Sequence, residues 1–137
     1  MKIYVQTPDG QTIEFEEVPS DTVKKVKADI KDKEGISLDQ QHLFYRGRRL
    51  DDPKMLSEYG VHDESTLTLK VGTLMKIFVE TQSGETEELE VLPIDTVESV
   101  KEQIFQMRGI DVAEQQLFFN DKILDNDKSL KDYRVAN

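Results

Sequence analysis

The sequence predicts an α+β fold built twice over, as two small domains in tandem, each of the order β-β-α-β-β-β with its sheet packed on one helix. Three observations carry this. The chain repeats itself at an offset of 74 residues, with 27 identities over the 63 positions that overlap. Each copy holds one helical stripe that stops at a glycine: Val23, Val26 and Ile30 before Gly35, then Val97, Val100 and Ile104 before Gly109. Short alternating apolar segments bounded by turn residues surround each stripe, and one helix of this length needs a sheet to cover it. A period this long marks a duplicated domain rather than a solenoid unit.

The elements follow in order. Lys2 to Thr7 alternates as a half-buried strand with Ile3 and Val5 on one face. Thr7-Pro8-Asp9-Gly10 is a tight turn, in which proline presets its φ and glycine takes a left-handed position. Thr12 to Phe15 returns with Ile13 and Phe15 inward. Strict alternation would then bury Glu17 and expose Val18, so a bulge or an edge position is expected there to spare the carboxylate. Thr22 is placed to cap the helix, and Gly35 with Ile36 to end it. Leu43-Phe44-Tyr45 and Arg48–Leu50 form two strands turning at Arg46-Gly47. Leu56 and Tyr59 close the following loop, and Thr66 to Val71 is a fifth strand with Leu67 and Leu69 inward.

Composition narrows the function classes. The absence of cysteine excludes disulfide staples, thiol catalysis and thiolate metal sites. No apolar run reaches the length of a membrane span or a signal core, so a soluble cytoplasmic or nuclear protein without a membrane partner is expected. A net charge of -10 argues against nucleic acid as the main partner. The charge is uneven: residues 1–72 carry 11 basic and 14 acidic groups, net -3, and residues 73–137 carry 7 and 14, net -7. No nucleophile elbow, phosphate loop or metal-loop spacing is present, so neither an enzyme nor a cofactor is expected. His42 and His62 stand alone in polar segments and read as solvated.

Met1-Lys2-Ile3-Tyr4-Val5, Pro19-Ser20-Asp21-Thr22, Asp32-Lys33-Glu34-Gly35-Ile36, Asp39-Gln40-Gln41 and Glu64-Ser65-Thr66-Leu67, in that order and without gaps, resemble the ubiquitin family. The second copy is similar but more divergent. The resemblance implies two β-grasp domains, residues 1–72 and 75–137, with residues 73–74 as a short linker.

The departures from the family are as informative. Ubiquitin ends its fifth strand in a flexible basic tail and a Gly-Gly pair, whereas here Gly72-Thr73-Leu74 leads directly into Met75. The family's partner-binding patch falls on Pro8, Phe44, Thr68 and Lys70, and in the second copy on Gln82 and Phe118. Phe44 keeps an apolar anchor, but Lys70 places a charge where binders expect a methyl surface, and desolvating that ammonium against an apolar partner would cost about one to a few kcal/mol. Partners are therefore expected to be ubiquitin-pathway receptors or enzymes, bound more weakly than ubiquitin binds them. The aromatic pairs Phe44-Tyr45 and Phe118-Phe119 recur, one ring inward and one outward in each, as packing or as anchor.

Of the chain-linkage lysines most are replaced, by Gln6, Gln11, Asp29, Arg48 and Asp63, while Lys27, Lys33 and Lys122 stand at matching positions. The resemblance pairs Lys27 with Asp52; Lys101 repeats Lys27 but faces Asn126. Arg46, Arg48, Arg49 and Lys54 form a basic cluster beside Phe44, either a solvated loop or a dock for an acidic surface. Glu87 replaces Ile13 and is expected to be a mild fault in the second core. The second copy reaches Asn137 where its fifth strand is due, so it is expected to be completed either by a continuation of the polypeptide, the favoured reading, or by a strand donated in trans, with self-association through the second domain.

Three functions are compatible with these residues. They are a non-catalytic tandem recognition module in ubiquitin-linked pathways, a two-domain covalent modifier whose Gly-Gly lies beyond Asn137, and a structural protein assembling by strand exchange. All share an uncleavable junction, because a narrow protease channel needs residues without Cβ where Thr73 and Leu74 stand. Incubation with a broad-specificity deubiquitinase is expected to leave a single band of 15.8 kDa, and two fragments would refute it.

Overall fold

The computed structural model describes residues 1–81 and 83–136. Apart from the tight turn Arg46–Arg48, the chain divides into two compact units between Gly72 and Thr73. In the first, β1 (Lys2–Gln6) and β2 (Thr12–Glu16) form a hairpin, paired from Lys2 opposite Glu16 to Gln6 opposite Thr12. The helix α1 (Val23–Glu34) follows, then β3 (Gln41–Tyr45), β4 (Arg48–Arg49) and β5 (Thr66–Val71). The sheet order is β2-β1-β5-β3-β4, which puts the last strand in the middle. There β5 runs parallel to β1, with Val5 opposite Leu67, and antiparallel to β3, with Leu43 opposite Leu69.

Both helices begin and end as their sequences require. The Thr22 hydroxyl accepts from the amide of Lys25 at 3.2 Å, and Gly35 takes a left-handed φ of 74° while its N–H donates to the Lys31 carbonyl at 2.7 Å. The inward stripe of α1, Val23, Val26 and Ile30, meets Ile3, Val5, Leu43, Leu67 and Leu69 from the sheet in one core. The second unit repeats the plan with β6 (Met75–Glu80), β7 (Thr86–Val91), α2 (Val97–Arg108), β8 (Phe118–Phe119) and β9 (Lys122–Ile123). Thr96 and Gly109 cap α2 in the same way. Among the described residues, however, β6–β7 and β8–β9 remain two separate hairpins, with no strand joining them.

Polar clamps recur with the fold. Gln41 is buried and its side-chain amide donates to the carbonyls of Lys27 and Ile36 at 2.9 and 3.0 Å; Gln115 makes the same two bonds to Lys101 and Ile110, both at 2.9 Å. The phenol of Tyr59 accepts from the Asp51 amide at 2.8 Å, and Tyr133 from Asp125 at 2.9 Å. The bonds to Ile36, Ile110, Asp51 and Asp125 satisfy backbone groups of the irregular segments, while those to Lys27 and Lys101 tie these segments to carbonyls within the helices.

The expectation at Glu17 is met only in part. β2 is an edge strand, but no bulge spares Glu17, which is 4 % exposed while Val18 is 51 % exposed. The backbone explains why: the Glu17 amide donates to Met1, and the terminal ammonium donates back to the Glu17 carbonyl, so the pairing of β1 carries the alternation one residue past β2. The second unit has Val91 at this position, fully buried. Burial, together with hydrogen bonding to Asp29 and Asp21, pushes the Glu17 carboxyl up to about 8. The neutral acid then donates to Asp29. Although burial works against it, that bond and the Lys25 ammonium at 2.7 Å hold the Asp29 carboxyl below its usual range.

This shift has a signed consequence. An unfolded Glu17 ionises near 4.5 and the folded one near 8, so the folded state holds the extra proton between those values. Stability from this group is therefore fully present below about 4.5 and is lost as pH rises through that window. Glu17→Gln is expected to flatten the slope of chemical-denaturation stability between pH 5 and 8 and to raise stability at pH 8. An unchanged slope would place the carboxylate in solvent.

Candidate functional site

The central strand of the first unit positions the residues matched to the family's binding patch. Antiparallel pairing sets Phe44 opposite Thr68 and His42 opposite Lys70 on neighbouring strands. Pro8 stands exposed in the β1–β2 turn, and Thr68 and Lys70 are half-buried. Phe44 is 3 % exposed, so its ring is covered rather than offered as an anchor, and the Lys70 ammonium sits 4.7 Å from its centroid. A cation over an aromatic face is itself favourable, by about 0.5–2 kcal/mol, and a partner would have to displace or desolvate it. Of the pair Phe44-Tyr45 the first ring is inside and the second only partly so.

The second unit is different. Phe118, the counterpart of Phe44, is 59 % exposed, and Gln82 lies outside the described residues. Phe78 on β6 is 65 % exposed, and Ile123 on β9 is exposed too. Sequence reasoning passed over Phe78, although strict alternation of Met75, Ile77 and Val79 inward leaves it on the outer face.

The charged candidates sort by burial. Lys27 is buried with its ammonium on Asp52, so in the folded unit it offers no outward amine. Lys33 is exposed, lying 5.0 Å from the Phe15 ring, and Lys122 is exposed on β9. Arg46, Arg48, Arg49 and Lys54 are all exposed; Arg49 reaches Asp51 at 3.7 Å and Lys54 lies 5.9 Å from the Tyr59 ring. His42 is not the solvated side chain expected, because its Nε2 donates to the Gly72 carbonyl at 2.7 Å and pins the last residue of the unit against β3. His62 is exposed, with Nδ1 2.9 Å from the Asp63 carbonyl.

Glu87 also corrects the sequence reading. It is no fault in the core, because Arg108 at the end of α2 meets it at 2.8 Å and meets Glu85 at 2.9 Å. The first unit has Ile13 and Glu34 at the positions of Glu87 and Arg108, so both members of the contact changed together. The two carboxylates raise the Arg108 guanidinium above its ordinary range.

Two β-grasp units in one chain define the class, a tandem ubiquitin-like protein. The chain belongs to the ubiquitin family, whose profile matches residues 3–73 and again 77–137. It is 30 % identical over 139 residues to Ubiquitin D of Mus musculus, covering 96 % of this chain and 86 % of that protein. Ubiquitin D of Homo sapiens is 28 % identical over 142 residues, covering 97 % and 86 %. A single unit is 38 % identical over 69 residues to the ubiquitin-like protein NEDD8 of Dictyostelium discoideum, covering 50 % of this chain and 90 % of that protein.

The paired buried lysines supply a test of these electrostatics. Lys101 is buried like Lys27, but its ammonium donates at 2.7 Å to the neutral Asn126 oxygen rather than to a carboxylate. Asn126→Asp is expected to stabilise the second unit by about 0.5–2 kcal/mol, since a charge-assisted bond replaces a charge–dipole one. Slower hydrogen exchange of the α2 amides would show it. Unchanged or faster exchange would mean that desolvating the new carboxylate outweighs the gain.

Proposed function

We propose that the protein is a non-catalytic recognition module of ubiquitin-linked pathways whose two domains act as one permanently joined body of chain in the cytoplasm or nucleus. The observation that carries this reading is the junction. Gly72-Thr73-Leu74 has no Gly-Gly pair, and His42 holds the Gly72 carbonyl at 2.7 Å, which leaves little free tail for a protease to thread. The covered Phe44 under Lys70 supports weak engagement of receptors that read ubiquitin's apolar patch. Their affinity is set by what the ammonium costs to desolvate, about tenfold or more.

The likeness to Ubiquitin D along both units favours a second reading, a two-domain covalent modifier whose attaching terminus lies outside residues 1–137. Titration of a receptor that grips ubiquitin's apolar patch separates the readings of this surface. The native chain is expected to bind about tenfold or more below ubiquitin, and Lys70→Val to recover part of the loss. Native affinity equal to that of ubiquitin would overturn the proposal. Conjugates that survive denaturing electrophoresis from cells expressing a tagged chain would favour the modifier.

A further inference from the structure

We propose that the second unit carries a docking face for a basic amphipathic helix of a partner protein, made by Phe105 of α2, Val112 and Ala113 of the short helical turn that follows it, and Ile123 of β9. Hydrogen bonds hold these elements together. The Gln115 amide ties the turn to the Lys101 and Ile110 carbonyls at 2.9 Å, and the Lys101 ammonium crosses to Asn126, just past β9, at 2.7 Å. In the first unit Lys27, Leu38, Asp39, Gln41 and Arg49 line one cleft of about 460 Å³. At the 74-residue offset these are Lys101, Val112, Ala113, Gln115 and Ile123, and Phe105 lies one helical turn beyond Lys101.

What differs between the units is the chemistry of this face. Lys31, Asp39 and Arg49 of the first unit become Phe105, Ala113 and Ile123, so charged side chains are exchanged for apolar ones. Phe105 is 44 % exposed and Ile123 57 % exposed. Lys31, Asp39 and Arg49 are exposed as well, in the unit whose central strand is in place. The openness of these positions therefore belongs to the outer side of the helix, the turn and the β8–β9 hairpin, whatever strand lies in the sheet. Apolar side chains gathered on one outward face gain burial only from a partner.

Charge and backbone together select the occupant. Glu98 and Glu102 stand exposed on α2 where the first unit has Lys24 and Ala28, and Asp111, Glu114, Asp125 and Asp127 are exposed on the adjoining segments. Of the cations on the same elements, Lys101 is buried on Asn126 and Arg108 meets Glu85 and Glu87. Lys122 and Lys128 alone stand exposed against those carboxylates, so a cationic partner fits. The backbone groups of α2 are used within the helix, so an occupant finds no ladder there to join and must satisfy its own. A helix does so, laying apolar residues at spacings of three and four on the face with Lys or Arg along its flanks. So small a face suits a transient contact. The proposal does not rest on the receptor reading above, which concerns Phe44 and Lys70.

The test uses the whole 137-residue chain and a labelled synthetic amphipathic helix with leucine along one face and lysine along its flanks. Saturable binding by fluorescence anisotropy is expected, with amide shifts in NMR spectra confined to α2, Val112–Glu114 and the β8–β9 hairpin. A peptide of the same composition in scrambled order should bind at least about tenfold more weakly, and varying the peptide leaves the protein unaltered. Phe105→Lys with Ile123→Arg, which installs the first unit's own residues at exposed positions, should also weaken binding about tenfold or more. Glu98→Lys with Glu102→Ala should weaken it several-fold at low salt, with the difference shrinking at high salt. Absence of binding, equal binding of the scrambled peptide, shifts elsewhere on the chain, or undiminished affinity of the Phe105 variant would overturn the proposal. Unchanged affinity of the Glu98 variant would overturn its charge selectivity. Self-association of the chain that excludes the peptide and is lost in the Phe105 variant would overturn it as well, by assigning the face to a second copy.

Discussion

Everything in the first unit depends on one strand that arrives last in the chain and lies in the middle of the sheet. Leu67 and Leu69 of β5 close the core over α1, and the same strand joins β1 to β3 by hydrogen bonds on both sides. Burying two leucines is worth roughly 1.5–3 kcal/mol each, a large share of a small domain's net stability of roughly 5–15 kcal/mol. The second unit follows the same sequence plan through residues 75–136. Its caps, its Gln115 clamp and its Tyr133 contact all form, and among the described residues its strands lie in two hairpins. Local signals build the parts, and in the first unit the central strand unites them.

The buried polar groups tell a related story. Lys27 with Asp52 and Lys101 with Asn126 occupy equivalent places, so a buried ammonium at the helix is kept while its partner drifts from charged to neutral. Glu87 with Arg108 shows the opposite change, a polar pair where the other copy has Ile13 and Glu34. Glu17 against Val91 is a third case, in which the first unit tolerates a neutral carboxylic acid in an apolar position by hydrogen bonding it to Asp29. Duplication allowed each copy to settle its interior polarity separately. What both retain is a hydrogen-bond partner for the buried lysine ammonium, since an unsatisfied one would cost several kcal/mol.

The two units also present unlike surfaces. The first covers Phe44 beneath Lys70. The second is acidic and leaves Phe78, Phe118 and Ile123 open. A shared fold does not fix what either surface does.

By itself the sequence determined the duplication, the helix limits at Thr22 and Gly35, the alternating strands and the family, because these rest on local spacing, capping and turn chemistry. It also identified which positions match the binding patch and that the junction lacks a Gly-Gly pair. Tertiary structure alone decided that Glu17 is buried, that His42 holds Gly72, that Arg108 meets Glu87 and that Phe44 lies beneath Lys70. Each of these joins residues 21 or more apart, or turns on which face of a strand is covered, and no local pattern records that. The physical reason is that a strand's period places a side chain on one of two faces, while only its neighbours in space decide which face meets water.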